Sequence, residues 1–201
     1  MSRIITVGAA QMGPIQKGDS RADVVQRLIA LLHDGHKAGC DLVVFPELAL
    51  TTFFPRWFVD DITEADHWYE TQMPSPVTQP LFDEAKKLQI GFCLGYAELT
   101  SDGHRFNTQV LVEKDGSVVA KYRKVHIPGH EHNEPNRPFQ HAERYYFEPS
   151  MEGFGVWKAF GGRMGMMICN DRRWPETYRV MGLQGVETVS YTHLRAHETP
   201  E

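Results

Sequence analysis

Apolar positions along this chain recur in two alternating rhythms. Residues 3–10 are largely β-branched or small up to Gly13-Pro14, which reads as a strand. Over 20–37, Val24, Val25, Leu28, Leu31 and Leu32 fall on one helical face. Ser20 and Asp23 stand at capping-box spacing before that helix, and Gly39 is its expected stop. The run 41–45 is apolar after its first residue and ends at Pro46, as a buried strand would. Strand, helix, strand is a βαβ unit and implies a parallel pair. A short helix is expected at 63–71 and a longer one at 77–88, followed by a buried strand at 90–99. Strands at 106–113 and 117–122 flank Asp115-Gly116, a hairpin signal because that pair tolerates positive φ. Residues 128–150 are irregular. Strands at 156–160 and 164–168 meet at Gly161-Gly162, a helix follows from Pro175 to about 183, and a further strand starts near 185–187. The alternation of strands and helices predicts an α/β fold.

Composition narrows the class. The 201 residues suit one sizeable core, with 41% hydrophobic and 23% charged residues. A net charge of −5 argues against a nucleic-acid surface. Three cysteines without short spacing make no disulfide framework, and no stretch resembles a signal peptide or a membrane span. The expected setting is the cytoplasm.

Candidate chemistry gathers at three strand ends. Cys169 closes the apolar run 164–168 and precedes Arg172, Arg173 and Pro175. Ligands bind at such strand-to-helix junctions in open α/β sheets. A thiol beside fixed positive charge is expected to have a lowered pKa. By itself, though, Cys169 also fits a buried packing residue. Glu47 follows Pro46 in an apolar context, where burial would raise its pKa and suit it to general-base work; a local cap or pair is the alternative. Lys124 ends a basic run after a strand, and by itself such a run reads as a solvated edge. Cys40 and Cys93 read as packing residues. Glu98 is left open between a pocket-facing and a structural role. Histidines cluster in 126–141, but in a Pro/Gly-broken segment with no helical register to fix ligand geometry, so no metal is expected.

Glu47, Lys124 and Cys169, each after its own strand, together with their contexts, resemble the nitrilase superfamily of carbon-nitrogen hydrolases. The matching stretches are 44–57, 95–99, 121–126, 137–141, 169–177 and 179–183, covering about residues 3–187. The runs from Thr51 to Trp57 and from Asn170 to Glu176 look most like the N-carbamoyl-D-amino acid amidohydrolase branch. That resemblance implies an αββα sandwich, incomplete at its C-terminus, with no cofactor and with assembly into homodimers or homotetramers. It also implies hydrolysis of a small N-carbamoyl amino acid through a covalent acyl-enzyme. Cys169 would be the nucleophile, Glu47 the base and Lys124 the oxyanion partner. An ammonium within about 4–6 Å would lower the Cys169 pKa. His126, His141, Glu143, Asn170, Arg172 and Arg173 fall on positions that order the pocket or hold substrate, the arginines as a clamp for the substrate carboxylate. After Glu187 the resemblance stops, and residues 190–201 show neither strand alternation nor a helical face. A truncated domain over 1–187 and a non-native tail over 188–201 are therefore expected.

Overall fold

The computed structural model describes residues 3–193. Its frame is two sheets lying face to face. The first runs in the order β1 (Val7–Ala9), β2 (Leu42–Val44), β3 (Gly91–Leu99), β4 (Arg105–Val112), β5 (Val118–Arg123). β1, β2 and β3 are parallel, and β3, β4 and β5 are antiparallel neighbours. The second sheet pairs β6 (Val156–Ala159) antiparallel with β7 (Gly162–Ile168), and β7 parallel with β8 (Thr188–Thr192).

Period-two alternation decides which side chains go where. On β3, Phe92, Leu94 and Tyr96 join the cluster that contains Leu28 and Leu32 of α1 (Arg21–Lys37) and Leu81, Phe82 and Ala85 of α2 (Gln79–Leu88). Cys93, between them, joins the opposite cluster with Leu111, Tyr122, Met164, Met166 and Ile168, which fills the space between the sheets. On the far side of the second sheet, α4 (Pro175–Leu183) buries Met181 against Gly165. The layers are helix, sheet, sheet, helix, the αββα arrangement expected. A third cluster, around Phe54, Tyr69, Tyr146 and Phe147, anchors the loops beyond the strand ends.

Local signals account for much of this. Ser20 caps α1 by accepting from Asp23 N at 3.1 Å, and the βαβ unit and both hairpins form. Three expectations are corrected. The first strand is only three residues long; Ile4, the second residue of the expected strand, is 90% exposed and has no core to enter. The segment 128–150 contains a short helix, α3 (Glu143–Tyr146), held by burial of Glu143 and Tyr146. Ordered structure also continues past Glu187. Residues Thr188–Thr192 pair along β7 from Met164↔Thr188 to Ile168↔Thr192, with Ser190 and Thr192 buried. The strand expected to start near 185–187 thus runs to Thr192; its buried face is polar, so no apolar alternation announces that extent. The rest of the expected tail, residues 194–201, lies outside the described residues. Among the described residues no helix is long and apolar enough to cross a membrane.

Candidate active site

Three chain reversals at the strand ends bring the chemistry together. β2 ends at Val44, and the chain turns through Pro46, Glu47 and Leu48, whose φ is 49°. Gly95 on β3 makes that turn possible: a Cβ there would lie 2.8 Å from Pro46 O and 2.9 Å from Leu48 N. Glu47 is thereby laid against the centre of the first sheet with no solvent exposure. β5 runs out at Arg123, and Lys124 follows, its N–H held by Asn107 O on β4 at 2.8 Å. β7 ends at Ile168, and Cys169 begins a 3-10 turn, Cys169–Arg173, with φ 48°. A non-glycine residue in that left-handed region is held there against a cost of about 1 kcal/mol or more.

Asp171 shows what holds the turn. Its buried carboxylate accepts from Ile168 N (3.0 Å), Tyr122 Oη (2.7 Å), His126 N (2.9 Å) and, across 3.1 Å, faces His126 Nδ1. One side chain so ties the cysteine turn to β5 and to the loop after Lys124.

The polar centre is dry. Lys124 Nζ donates to Glu47 Oε1 at 2.8 Å and to Glu143 Oε2 at 2.7 Å, and all three side chains are fully buried. Asn107 Nδ2 donates to the same Glu47 oxygen at 2.7 Å. His141 Nε2 lies 3.1 Å from Glu143 Oε1 and carries the network outward, its own side chain 55% exposed. Glu143 and His141 reach this point because the loop before them doubles back at Gly129 (φ 83°), where a Cβ would fall 2.3 Å from His141 O. The thiol of Cys169 adjoins this centre: one ligand-type atom from each of Glu47, Glu143 and Cys169 lies within 4.8 Å of the others. The cation among these acids is the Lys124 ammonium, which bridges Glu47 and Glu143.

Charge follows from this packing. Burial pushes Glu47 up, and Glu143 adds like-charge repulsion, against the pull of Lys124 and Asn107. Burial also works to raise Glu143, but Lys124 and His141 hold it below the usual range, so Glu143 is the more firmly ionised acid. Burial would lower Lys124, yet Glu143 and Glu47 keep it well above its ordinary value. The expectation of an acidified Cys169 is corrected. Burial, then the Glu47 charge, push the thiol up to about 12, and Lys124 offsets only part of that. At rest Cys169 is a thiol beside a buried carboxylate rather than a preformed thiolate.

Of the sequence-predicted residues, Glu47, Lys124, Cys169, Glu143 and His141 form one connected network. His126 and Asn170 lie at its edge. The His126 ring stacks between Trp174 (4.9 Å) and Phe154 (5.7 Å), and Asn170 Nδ2 donates to His126 O at 3.2 Å. Arg172 and Arg173 are exposed just after Cys169, the Arg172 guanidinium 5.3 Å from the Tyr191 ring centre. Glu98 is structural: Lys121, Arg123 and Thr108 all donate to it. Asn107 and Asp171 were not anticipated. A signal for Asn107 exists in the run Asn107-Thr108-Gln109, three polar residues inside a strand, all of them fully buried.

The same arrangement of chain is found in known proteins. N-carbamoylputrescine amidase of Solanum lycopersicum is 26% identical over 193 residues, covering 94% of this chain and 58% of that protein. Citrullinase of Francisella tularensis subsp. tularensis is 29% identical over 174 residues, 86% of this chain and 56% of that one. The crystal structure of a carbon-nitrogen hydrolase from Helicobacter pylori G27 superposes with a TM-score of 0.77 at 26% identity, over 94% of this chain and 59% of that chain. The chain therefore spans less than three fifths of the length of each. The carbon-nitrogen hydrolase family matches residues 6–200, and this chain belongs to it.

Proposed function

We propose that this chain carries the catalytic centre of an amidohydrolase that cleaves the ureido C–N bond of an N-carbamoyl compound through a cysteine nucleophile. The observation that supports it best is the buried cluster in which Cys169 meets Glu47 and Lys124 bridges Glu47 to Glu143. Glu47 takes the thiol proton as Sγ attacks the carbamoyl carbon. The C–N bond then breaks, and Glu47 returns the proton to the departing nitrogen. Water, deprotonated by Glu47, hydrolyses the acyl-enzyme. Lysine has three N–H donors. Two are committed to the carboxylates, and the third serves the tetrahedral oxyanion with a backbone N–H at the start of the Cys169–Arg173 turn. A base adjacent to the thiol is needed here because so little thiolate exists at neutral pH.

The finer reading is an N-carbamoyl-D-amino acid as substrate, with Arg172 and Arg173 gripping its carboxylate. Their exposure immediately after Cys169 suits that role. A carbamoylated amine without a carboxylate is the second reading, favoured by the relative named N-carbamoylputrescine amidase. Ammonia release from N-carbamoyl-D-phenylalanine and from N-carbamoylputrescine, assayed side by side, separates them. Turnover of the first, with KM raised about tenfold or more by Arg173→Ala, supports the amino-acid reading. Turnover of the second alone removes it. Cys169→Ala is expected to abolish hydrolysis of either substrate while binding persists. Activity surviving that change would exclude the thiol route altogether.

A further inference from the structure

Asn107 touches two members of the polar centre by different groups. Its amide Nδ2 donates to Glu47 Oε1, and its carbonyl accepts the backbone N–H of Lys124. It sits in β4 opposite Ala97 of β3 with no solvent exposure. The orientation of the amide is dictated by chemistry, since an ionised carboxylate can only accept and Nδ2 must face it. Its Oδ1 has no hydrogen-bond partner among the described residues. A leucine would fill similar space without stranding a buried carbonyl, so packing does not account for an asparagine here.

We propose that Asn107 is a positioning residue for the reaction proposed above, holding the Glu47 carboxylate with its side chain and Lys124 with its main chain so that base and ammonium stay in register with Cys169. The distance between base and ammonium is then set by one residue of a central strand, an element far stiffer than the two loops that carry them. Asn107 and Lys124 donate to the same oxygen, which pins that oxygen in place and limits the carboxylate's movement. The Nδ2 bond also favours the ionised form of Glu47 and works against burial. Other groups act on that carboxylate too. Lys124 faces it from the end of β5, Glu143 from α3, His141 from the loop before it, Cys169 from the end of β7 and Tyr191 from β8.

The test compares Asn107→Leu, Asn107→Asp and the neighbouring control Thr108→Val, whose lost hydroxyl bonds Glu98 instead. Two profiles are recorded against pH: ammonia release from whichever of the two ureido substrates the enzyme turns over, and iodoacetamide alkylation of Cys169 followed by mass spectrometry. Asn107→Leu is expected to lower kcat about 10- to 100-fold with KM nearly unchanged, because a hydrogen bond to a charged group is lost. The acid limb of both profiles should move up by about 0.5–1 pH unit, since the ionised carboxylate has lost a donor. Asn107→Asp should move it further in the same direction through like-charge repulsion. Thr108→Val should lower the melting temperature and leave both limbs in place. Unshifted limbs in Asn107→Leu, or in Asn107→Asp where the leucine variant does not fold, overturn the proposal. Neither substrate being turned over by the wild type would defeat the reading of function. The alkylation profile would still decide whether Asn107 governs Glu47.

Discussion

At the scale of single residues, the centre depends on competition between burial and charge. Cys169 has Lys124 near it, and a fixed ammonium ordinarily acidifies a thiol. Here the thiol also gives up solvent and faces the Glu47 carboxylate, and those two effects outweigh the ammonium, leaving it near 12. Removing the charge of Glu47 should therefore have opposite effects on ionisation and on turnover. In Glu47→Gln, the Cys169 pKa is expected to fall below that of the wild type, because Lys124 then acts without an opposing carboxylate. Hydrolysis should nevertheless drop by about 10²–10⁴-fold, since no base remains. Thiolate absorbance against pH, taken as a difference from Cys169→Ala, checks the first, and steady-state kinetics the second. A Cys169 pKa that rises in this variant would contradict the electrostatic account.

At the scale of elements, the site is a set of strand ends fastened to one another. β3 admits the Glu47 turn through Gly95, β4 supplies Asn107, and Asp171 joins the end of β7 to β5. The same substitution should cost differently at two glycines. In Gly95→Ala the new Cβ meets backbone atoms of residues 46–48 at 2.8–3.0 Å. Backbone yields little, so a stability loss of about 1–3 kcal/mol is expected, together with a large loss of activity as Glu47 is displaced. In Gly165→Ala the Cβ meets Met181 Sδ at 2.5 Å, closer still. That atom belongs to a flexible thioether that can change rotamer, so the loss should be nearer about 1 kcal/mol, with activity retained. Urea denaturation of the two variants decides the order, and a reversed order would show that backbone at Gly95 is less rigid than its contacts imply.

For the whole molecule, the sandwich keeps one end of the first sheet for ionic fastening and the other contacts for apolar packing. Glu98 takes Lys121 at 2.6 Å, Arg123 at 2.7 and 2.8 Å, and Thr108 at 2.8 Å, binding β3, β4 and β5 side by side. Burial opposes its ionisation, but these donors hold its pKa at about 2, against an ordinary 4.5. A depressed carboxylate stabilises the fold fully above the unfolded value, and that contribution is lost as pH falls through the folded one. The loss should therefore occur between about pH 4.5 and pH 2, worth about 1–2 kcal/mol once solvent screening on the Lys121 side is allowed for. Thermal unfolding followed across that window should show Glu98→Gln less acid-sensitive than the wild type. An identical slope in both would place the acid sensitivity elsewhere.

What the sequence determined by itself was most of the elements and the family to which the chain belongs. Hydrophobic rhythm marks α1, α2, β3 and the hairpins because periods of 3.6 and 2 are local properties of the backbone. Glu47, Lys124 and Cys169 were singled out because each follows its own strand in a sequence context that resembles the family, whereas Lys124 and Cys169 taken alone fit a solvated edge and a packing residue. Local pattern marks Asn107 only as part of a polar run inside a strand and does not mark Asp171; the partners of the two, Glu47 and His126, lie 60 and 45 positions away. For β8 it gives only a start near 185–187, not the extent to Thr192, because the buried face of that strand is polar and its pairing with β7 is non-local. The ionisation of the thiol was likewise decided only by the tertiary structure. The residues near Cys169 in sequence are the exposed arginines, whereas those that set its charge state are Glu47, Lys124 and Glu143, brought there by three other segments of chain. Electrostatic energy depends on distance and burial through space, and neither is written in the order of the residues.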